Sequence, residues 1–195
     1  MRGHKQWISV FLAALFTFVS IALAGEPLPK DWMAGNTQDY DHGVDREIVK
    51  EGDASAFIRS RTSTPENFGT IVQSFGAGKY VGKRVRMSAF VKAEKIEGWA
   101  GLWMRVDGEG KDNISLSFDN MQSRPIKGTR DWEEYQIVLD VPDQSKSITF
   151  GILLDGSGQA WLDDFKFAVV GKDVPVTGRT RHEFSQEPLD LGFEN

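Results

Sequence analysis

The chain has 195 residues and no cysteine, with 23 Lys and Arg against 28 Asp and Glu and a formal net charge of −5. An acidic chain without a Lys/Arg block cannot bind by releasing counterions from a phosphate backbone, so nucleic acid and anionic membrane surfaces are excluded as expected partners. Without cysteine there is neither a disulfide framework nor a lipid-bearing thiol, and the fold must rest on its core alone.

The chain opens with Arg2, His4 and Lys5, followed by an apolar run from Trp7 to Leu23 that contains no acidic residue. Ala22-Leu23-Ala24 then presents the small-x-small pattern that the narrow pocket of signal peptidase admits. A run of about 17 residues is at the lower limit for crossing a bilayer, so residues 1–24 read as a cleaved signal peptide, with an uncleaved anchor as the alternative. Cleavage removes two basic residues and no acidic one, leaving 21 against 28. The remaining length suits one domain with a sizeable core. The expected location is periplasmic or secreted, with no membrane insertion after cleavage.

Beyond the leader, apolar residues alternate with period two. Strands are expected near residues 55–60, 68–75, 84–93, 99–107, 114–120, 134–141, 147–155 and 160–170. Turn chemistry separates them, as in Thr64-Pro65-Glu66-Asn67, Gly76-Ala77-Gly78 and Asp155-Gly156-Ser157-Gly158, the last read as a hairpin turn. The clearest hairpin lies around residues 107–113. Eight strands with almost no helical periodicity predict an all-β, two-sheet antiparallel sandwich or jelly roll spanning residues 25–176, with a C-terminal tail over 177–195. Four sets predict the core: Leu102, Met104 and Val106; Ile114, Leu116 and Phe118; Tyr135, Ile137, Leu139 and Val141; Ile148, Phe150, Ile152 and Leu154. Residues 25–41 and 171–195 are expected outside the sandwich.

No catalytic residue is nominated. Gly156-Ser157-Gly158 lacks the spacing of a nucleophile elbow. His42 and His182 fall in expected loops or tails without a second ligand at metal spacing. Asp163 is in phase with Trp161, Phe165 and Phe167, so it is expected to point inward, where a carboxylate needs donors or a cation. Alternation also predicts a ligand surface. With Leu102, Met104 and Val106 inward, Trp103 and Arg105 face outward, and a turn centred near Gly110 sets them opposite Ser117 and Ser115. An indole lying flat between small neighbours suits the C–H face of a sugar ring, and the guanidinium suits its hydroxyls. Asp119, Asn120 and Arg124 would extend that surface, with Trp132 at its rim. The competing readings are a cation–π pair between Arg105 and Trp103, and an Arg124 that merely bridges Asp119.

Three stretches carry a family likeness: Tyr80-Val81-Gly82-Lys83-Arg84-Val85-Arg86-Met87-Ser88, then Trp132 with Tyr135, then Trp161-Leu162-Asp163-Asp164-Phe165. In this order they resemble the galactose-binding-like jelly rolls of carbohydrate-binding modules. Residues 101–106 and 118–129 look like a bacterial subgroup found free-standing and exported, or beside regulators and hydrolases. The resemblance implies a non-catalytic module that binds a carbohydrate or glycoconjugate, the alternative being a structural domain that docks on an envelope protein. No cofactor is required. The resemblance also implies a structural calcium at Asp163, against a carboxylate capped by backbone amides or paired with an arginine. Such modules often open with an Asn-x-x-Phe-Glu strand, which residues 189–195 resemble, predicting a tail that supplies an edge strand or remains disordered.

Overall fold

The computed structural model describes residues 26–109 and 115–180. The expected leader, the 110–114 turn, His182 and the 189–195 motif lie outside the described residues. Within them the chain forms β1 (Met33–Gly35), β2 (Tyr40–Asp45), β3 (Ser55–Ser60), β4 (Gly69–Gly76), a 3-10 turn (Ala77–Tyr80), β5 (Arg84–Gly108), β6 (Ser115–Asp119), β7 (Ile126–Asp140), β8 (Ser145–Asp155), β9 (Gln159–Val170) and β10 (Arg179–Thr180). The all-β antiparallel sandwich expected from the alternation is what forms.

Its two layers share one strand. The two strands expected at 84–93 and 99–107 are a single 25-residue β5. Residues 84–94 pair with β9 on one side and with β7 on the other. Residues 99–108 pair instead with β8 on one side, while on the other Ala100 keeps the last pairing with β7 and residues 104–107 pair with β6. One layer therefore runs β2-β3-β9-β5-β7, and the other β1-β4-β8-β5-β6-β10. The handover is made by register shifts on either side of Ile96 and by Lys95, whose φ is 50°. Gly98 completes it, because any side chain there would collide with the Asp155 carbonyl. The irregularity also resets the pleat: Val85, Met87, Ala89, Val91 and Ala93 face the core before it, and Ala100, Leu102, Met104 and Val106 after it.

Three of the expected core sets are buried together, namely those on β5, β7 and β8. In the β6 set Leu116 is buried as expected and Ile114 lies outside the described residues, but Phe118 is a correction. Met104 is opposite Asp119 and Val106 opposite Ser117, so β6 turns Ser117 and Asp119 inward, while Phe118 faces outward opposite Arg105. A register shift beside Asp107 displaces the pairing from a symmetric hairpin, and a one-residue change reverses every side chain. The 155–158 turn is also not a hairpin, for it carries the chain from β8 in one layer to β9 in the other.

The segment expected outside the sandwich at 25–41 is part of it. Met33–Gly35 pairs with β4, and the fully buried Tyr40 begins β2. Trp32 packs on Phe150 and Phe165 at 5.3 and 5.5 Å, joining an edge-on cluster in which Phe150 meets Phe167 at 4.9 Å. Residues 171–180 likewise close a seam between the layers. The Thr177 N–H donates to the Val138 carbonyl at 2.9 Å, the Val138 N–H donates to Thr177 Oγ1 at 2.9 Å, and Arg179–Thr180 pairs with β6.

Arg84 anchors this seam. Its Nε and Nη2 donate to the two Asp140 oxygens at 2.9 and 3.0 Å, and its Nη1 donates to the Lys172 and Val174 carbonyls. The Arg84 guanidinium, assisted by the Lys172 ammonium, holds the Asp140 carboxyl down at about 2. A depressed pKa contributes stability above the ordinary carboxylate value near 3.8 that is lost as pH falls toward 2. Melting curves of the wild type should therefore fall across that window. Asp140→Asn should cost about 1–2 kcal/mol at neutral pH and flatten the dependence between pH 4 and 2.

Candidate functional site

The outer face of the second layer carries Trp99, Trp103 and Arg105 on β5. Alternation places all three on the side opposite Leu102 and Met104. Their neighbours differ from those expected. Trp103 is opposite Gly151 of β8 rather than Ser117, and Arg105 lies between Thr149 and Phe118 rather than opposite Ser115. The Trp103 Nε1–H donates to Thr70 Oγ1 at 3.1 Å. Thr70 is on β4, two strands away, with β8 between them. Adjacent strands lie about 4.8 Å apart, so the indole must stretch across β8 at Gly151 to reach it. Gly151 leaves room for this, and it carries no side chain because a Cβ would strike the Ile71 carbonyl. The side chain is half-buried on this outer face.

Trp99 repeats the arrangement four residues earlier. It is opposite Asp155 of β8, and its Nε1–H donates to Asp155 Oδ2 at 3.0 Å. Two tethered indoles therefore share one face, about 13 Å apart along the strand at 3.3 Å per residue. Arg105 does not stack on Trp103. Its Nε donates to the nearly inaccessible Asp107 carboxylate at 2.9 Å, which fixes the guanidinium with other N–H groups left over.

The structure brings Asp119 and Asn120 beside this face but gives them different work. Asp119 is 7% exposed, and its oxygens accept Arg124 Nη1 and Nη2 at 3.2 and 2.7 Å and the Met121 N–H at 2.8 Å. Arg124 also donates to the Gln136 carbonyl. This pair is the bridging reading weighed in the sequence, and it holds the turn after β6 against β7. Asn120 and Phe118 instead open onto a groove of about 430 Å³ whose other wall is Thr177, Gly178 and Arg179. Trp132 sits on β7 in the other layer, away from Trp103. Trp99, Thr70 and the 177–179 wall were not picked out from sequence. For Trp99 a signal existed, since it shares the parity of Trp103.

Asp163 corrects the inward reading. Ala160 and Leu162 face the core before it, and Phe165 and Phe167 after it, because Asp164 adopts φ 53° and inserts a bulge opposite Ala89. Asp163 thus shares the outer side with Trp161, whose Nε1–H donates to Asp45 Oδ2 at 2.8 Å. Asp163 Oδ2 accepts the Lys50 and Glu51 N–H groups, both at 3.0 Å, and Oδ1 accepts that of Asp164. Calcium needs a ring of oxygens, whereas this carboxylate faces amide donors, and Asp164 is engaged by Lys166. Among the described residues no group of three or more His, Cys, Asp or Glu could hold a metal. The donor set does not fit the ion. Ser157, within Gly156-Ser157-Gly158, donates to Glu97 Oε2 at 2.9 Å rather than facing a base.

A chelator should accordingly leave the melting midpoint unchanged. Asp163→Ala should lower stability by about 1–3 kcal/mol, because two amides of the 46–54 connection lose their acceptor. A midpoint that falls with chelator and recovers with calcium would place an ion there instead.

No family model matches the chain. A stretch of 169 residues, 85% of this chain, is 42% identical to an uncharacterized HTH-type transcriptional regulator, YbfP, of Bacillus subtilis (strain 168). The chain spans 57% of that regulator's length. Among solved structures, the CBM22-1 xylan-binding domain of Paenibacillus barcinonensis Xyn10C matches with a TM-score of 0.50 at 19% identity, over 74% of this chain and 89% of that one. The CBM22-1–GH10 modules of Clostridium thermocellum Xyn10B, complexed with xylohexaose, match with a TM-score of 0.51 at 15% identity, over 72% of this chain and 26% of that one. The enzymatically active domain of bacteriophage CBA120 tailspike protein 4 matches with 0.52 at 8%, over 72% and 20%. At these identities the likeness shows the fold, which is the jelly roll of carbohydrate-binding modules.

Proposed function

We propose that the chain is a non-catalytic carbohydrate-binding module whose ligand lies along the outer face of the second layer, over Trp103 and Trp99. The observation that carries this reading is the pair of indoles tethered by their ring N–H groups to Thr70 and Asp155. A ring fixed in this way offers its upper face for stacking without the entropy cost of a mobile side chain. The apolar face of a pyranose is complementary to it, and the remaining Arg105 donors and Asn120 suit hydroxyls at its edge. Support for a sugar ligand comes also from the fold, which it shares with the xylan-binding domains. No catalytic family is indicated.

The ends of the chain complete the proposal. The module would act in the periplasm or outside the cell, a reading supported by the signal-peptide pattern of residues 1–24. N-terminal mass spectrometry of the exported protein should begin at Gly25, and an intact Met1 in the membrane fraction would overturn this part.

The likeness to part of a helix-turn-helix regulator favours a second reading, in which the same face senses a ligand and passes its occupancy to a neighbouring domain or protein. Capture of an envelope partner only when glycan is bound would distinguish it from simple attachment.

A glycan screen by thermal shift should find a polysaccharide that raises the melting midpoint, since a ligand bound to the native state alone stabilises it. Calorimetry against that glycan should then show Trp103→Ala and Trp99→Ala each weakening binding by about 1–2 kcal/mol, roughly five- to thirtyfold. Unaltered affinity in both variants, with native melting, would move the ligand elsewhere.

A further inference from the structure

A second concave site lies in the other layer, on the β2–β3 hairpin under the segment preceding β1. It is a groove of about 720 Å³, walled by Trp32 and Phe57 and carrying Asp41, His42, Arg59 and Arg61. Nothing in the sugar-face reading uses these residues.

Strand register assembles the charges. Asp41 is opposite Arg59, with Arg61 two residues further along the chain, just past the end of β3. Arg59 Nη2 donates to Asp41 Oδ2 at 3.1 Å, and Arg61 Nη2 lies 2.8 Å from Asp41 Oδ1. One carboxylate thus serves two guanidiniums, leaving an excess positive charge in a chain whose net charge is −5. Both arginines keep solvent-facing donors, their side chains being 39% and 51% exposed. Neither is free to wander. The Arg59 guanidinium lies 5.7 Å from the Phe57 ring centre, and the backbone N–H of Arg61 donates to the Asp39 carbonyl.

His42 adds a polar group without a counterpart. Its Nε2 is buried and has no hydrogen-bond partner among the described residues. Such a nitrogen costs free energy unless something meets it. Burial lowers its pKa, so the ring is neutral near pH 7 and the charge of the groove is left to the arginines and Asp41.

We propose that this groove is a second binding site, specific for the carboxylate-bearing ring of an acidic polysaccharide of the hexuronate class. The carboxylate would take the unspent N–H groups of Arg59 and Arg61, whose planar forks match its two oxygens. The sugar ring would lie along the groove beside the two guanidiniums. With one site on each layer, the module would bridge a neutral stretch and an acidic stretch of polysaccharide.

The test is calorimetry on the full chain with tetragalacturonate, its methyl ester and a sulfated oligosaccharide of similar length. The free acid should bind about tenfold or more tightly than the ester. Arg61→Gln and Arg59→Ala should each abolish that preference, and Trp103→Ala should leave it intact. Equal binding of acid and ester, no binding of the acid, or an acid preference that survives Arg61→Gln would overturn the proposal. Sulfated sugar bound as tightly as galacturonate would overturn its assignment to a carboxylate. Arg61 is half exposed, so its variant keeps the test readable if Arg59→Ala fails to fold. Loss of neutral-glycan binding in Trp103→Ala reports separately on the other face.

Discussion

Everything else in this molecule depends on β5 belonging to both layers. A strand that serves two sheets must turn its hydrogen-bonding edges from one set of partners to another without ending. Here that is done between residues 94 and 99, where Lys95 takes a left-handed conformation and Gly98 passes the Asp155 carbonyl too closely for any side chain. The handover also moves the outward positions to a different sheet. Trp99, Trp103 and Arg105 stand on the second layer because residues 84–94 have already been spent on the first. A straight β5 would put the indoles over β9 rather than over β8, where Asp155 receives Trp99 and Gly151 lets Trp103 reach Thr70 on β4.

The two layers would still gape along one side if β6 and β7 met only through side chains. Ser117 donates to the Asp140 carbonyl across that gap, and Thr177 exchanges hydrogen bonds with Val138. The guanidinium of Arg84 holds Asp140 and two carbonyls of the returning chain at once. This is how a protein without disulfides fastens residues 172–177, with bidentate ionic contacts on a half-buried edge. The opposite edge is fastened by the same chemistry used differently, with Asp163 and Asp45 gathering backbone amides of the 46–54 connection.

Alternation made most of the architecture legible, because a period of two is a direct record of which face is dry. It identified the β8 set without error and the outward placement of Trp103 correctly. It failed wherever the backbone slipped by one residue. The bulge at Asp164 detached Asp163 from Phe165, and the register shift beside Asp107 turned Phe118 out and Asp119 in. Bulges leave little trace in composition, since neither Asp164 nor Lys95 is a glycine. The first strands were missed for another reason: residues 33–45 are polar at an edge, and only Tyr40 and Trp32 betray that they touch the core. Asp119 and Arg124 were read as a ligand surface because a buried ion pair and an exposed one have the same sequence.

The shared strand has a consequence for how the molecule comes apart. In a sandwich of two separate sheets, one sheet can open while the other persists, and the protein breathes in halves. Here one continuous strand supplies an inner strand to each layer, residues 84–94 to one and 99–108 to the other, so opening either layer loosens the strand on which the other is built. Amide exchange should therefore show β5, β8 and β9 protected to a common depth, as one cooperative unit, with the short strands at the rims fraying first. The slow step of folding must assemble that unit from partners far apart in sequence, which makes the jelly roll late to form and abrupt when it does.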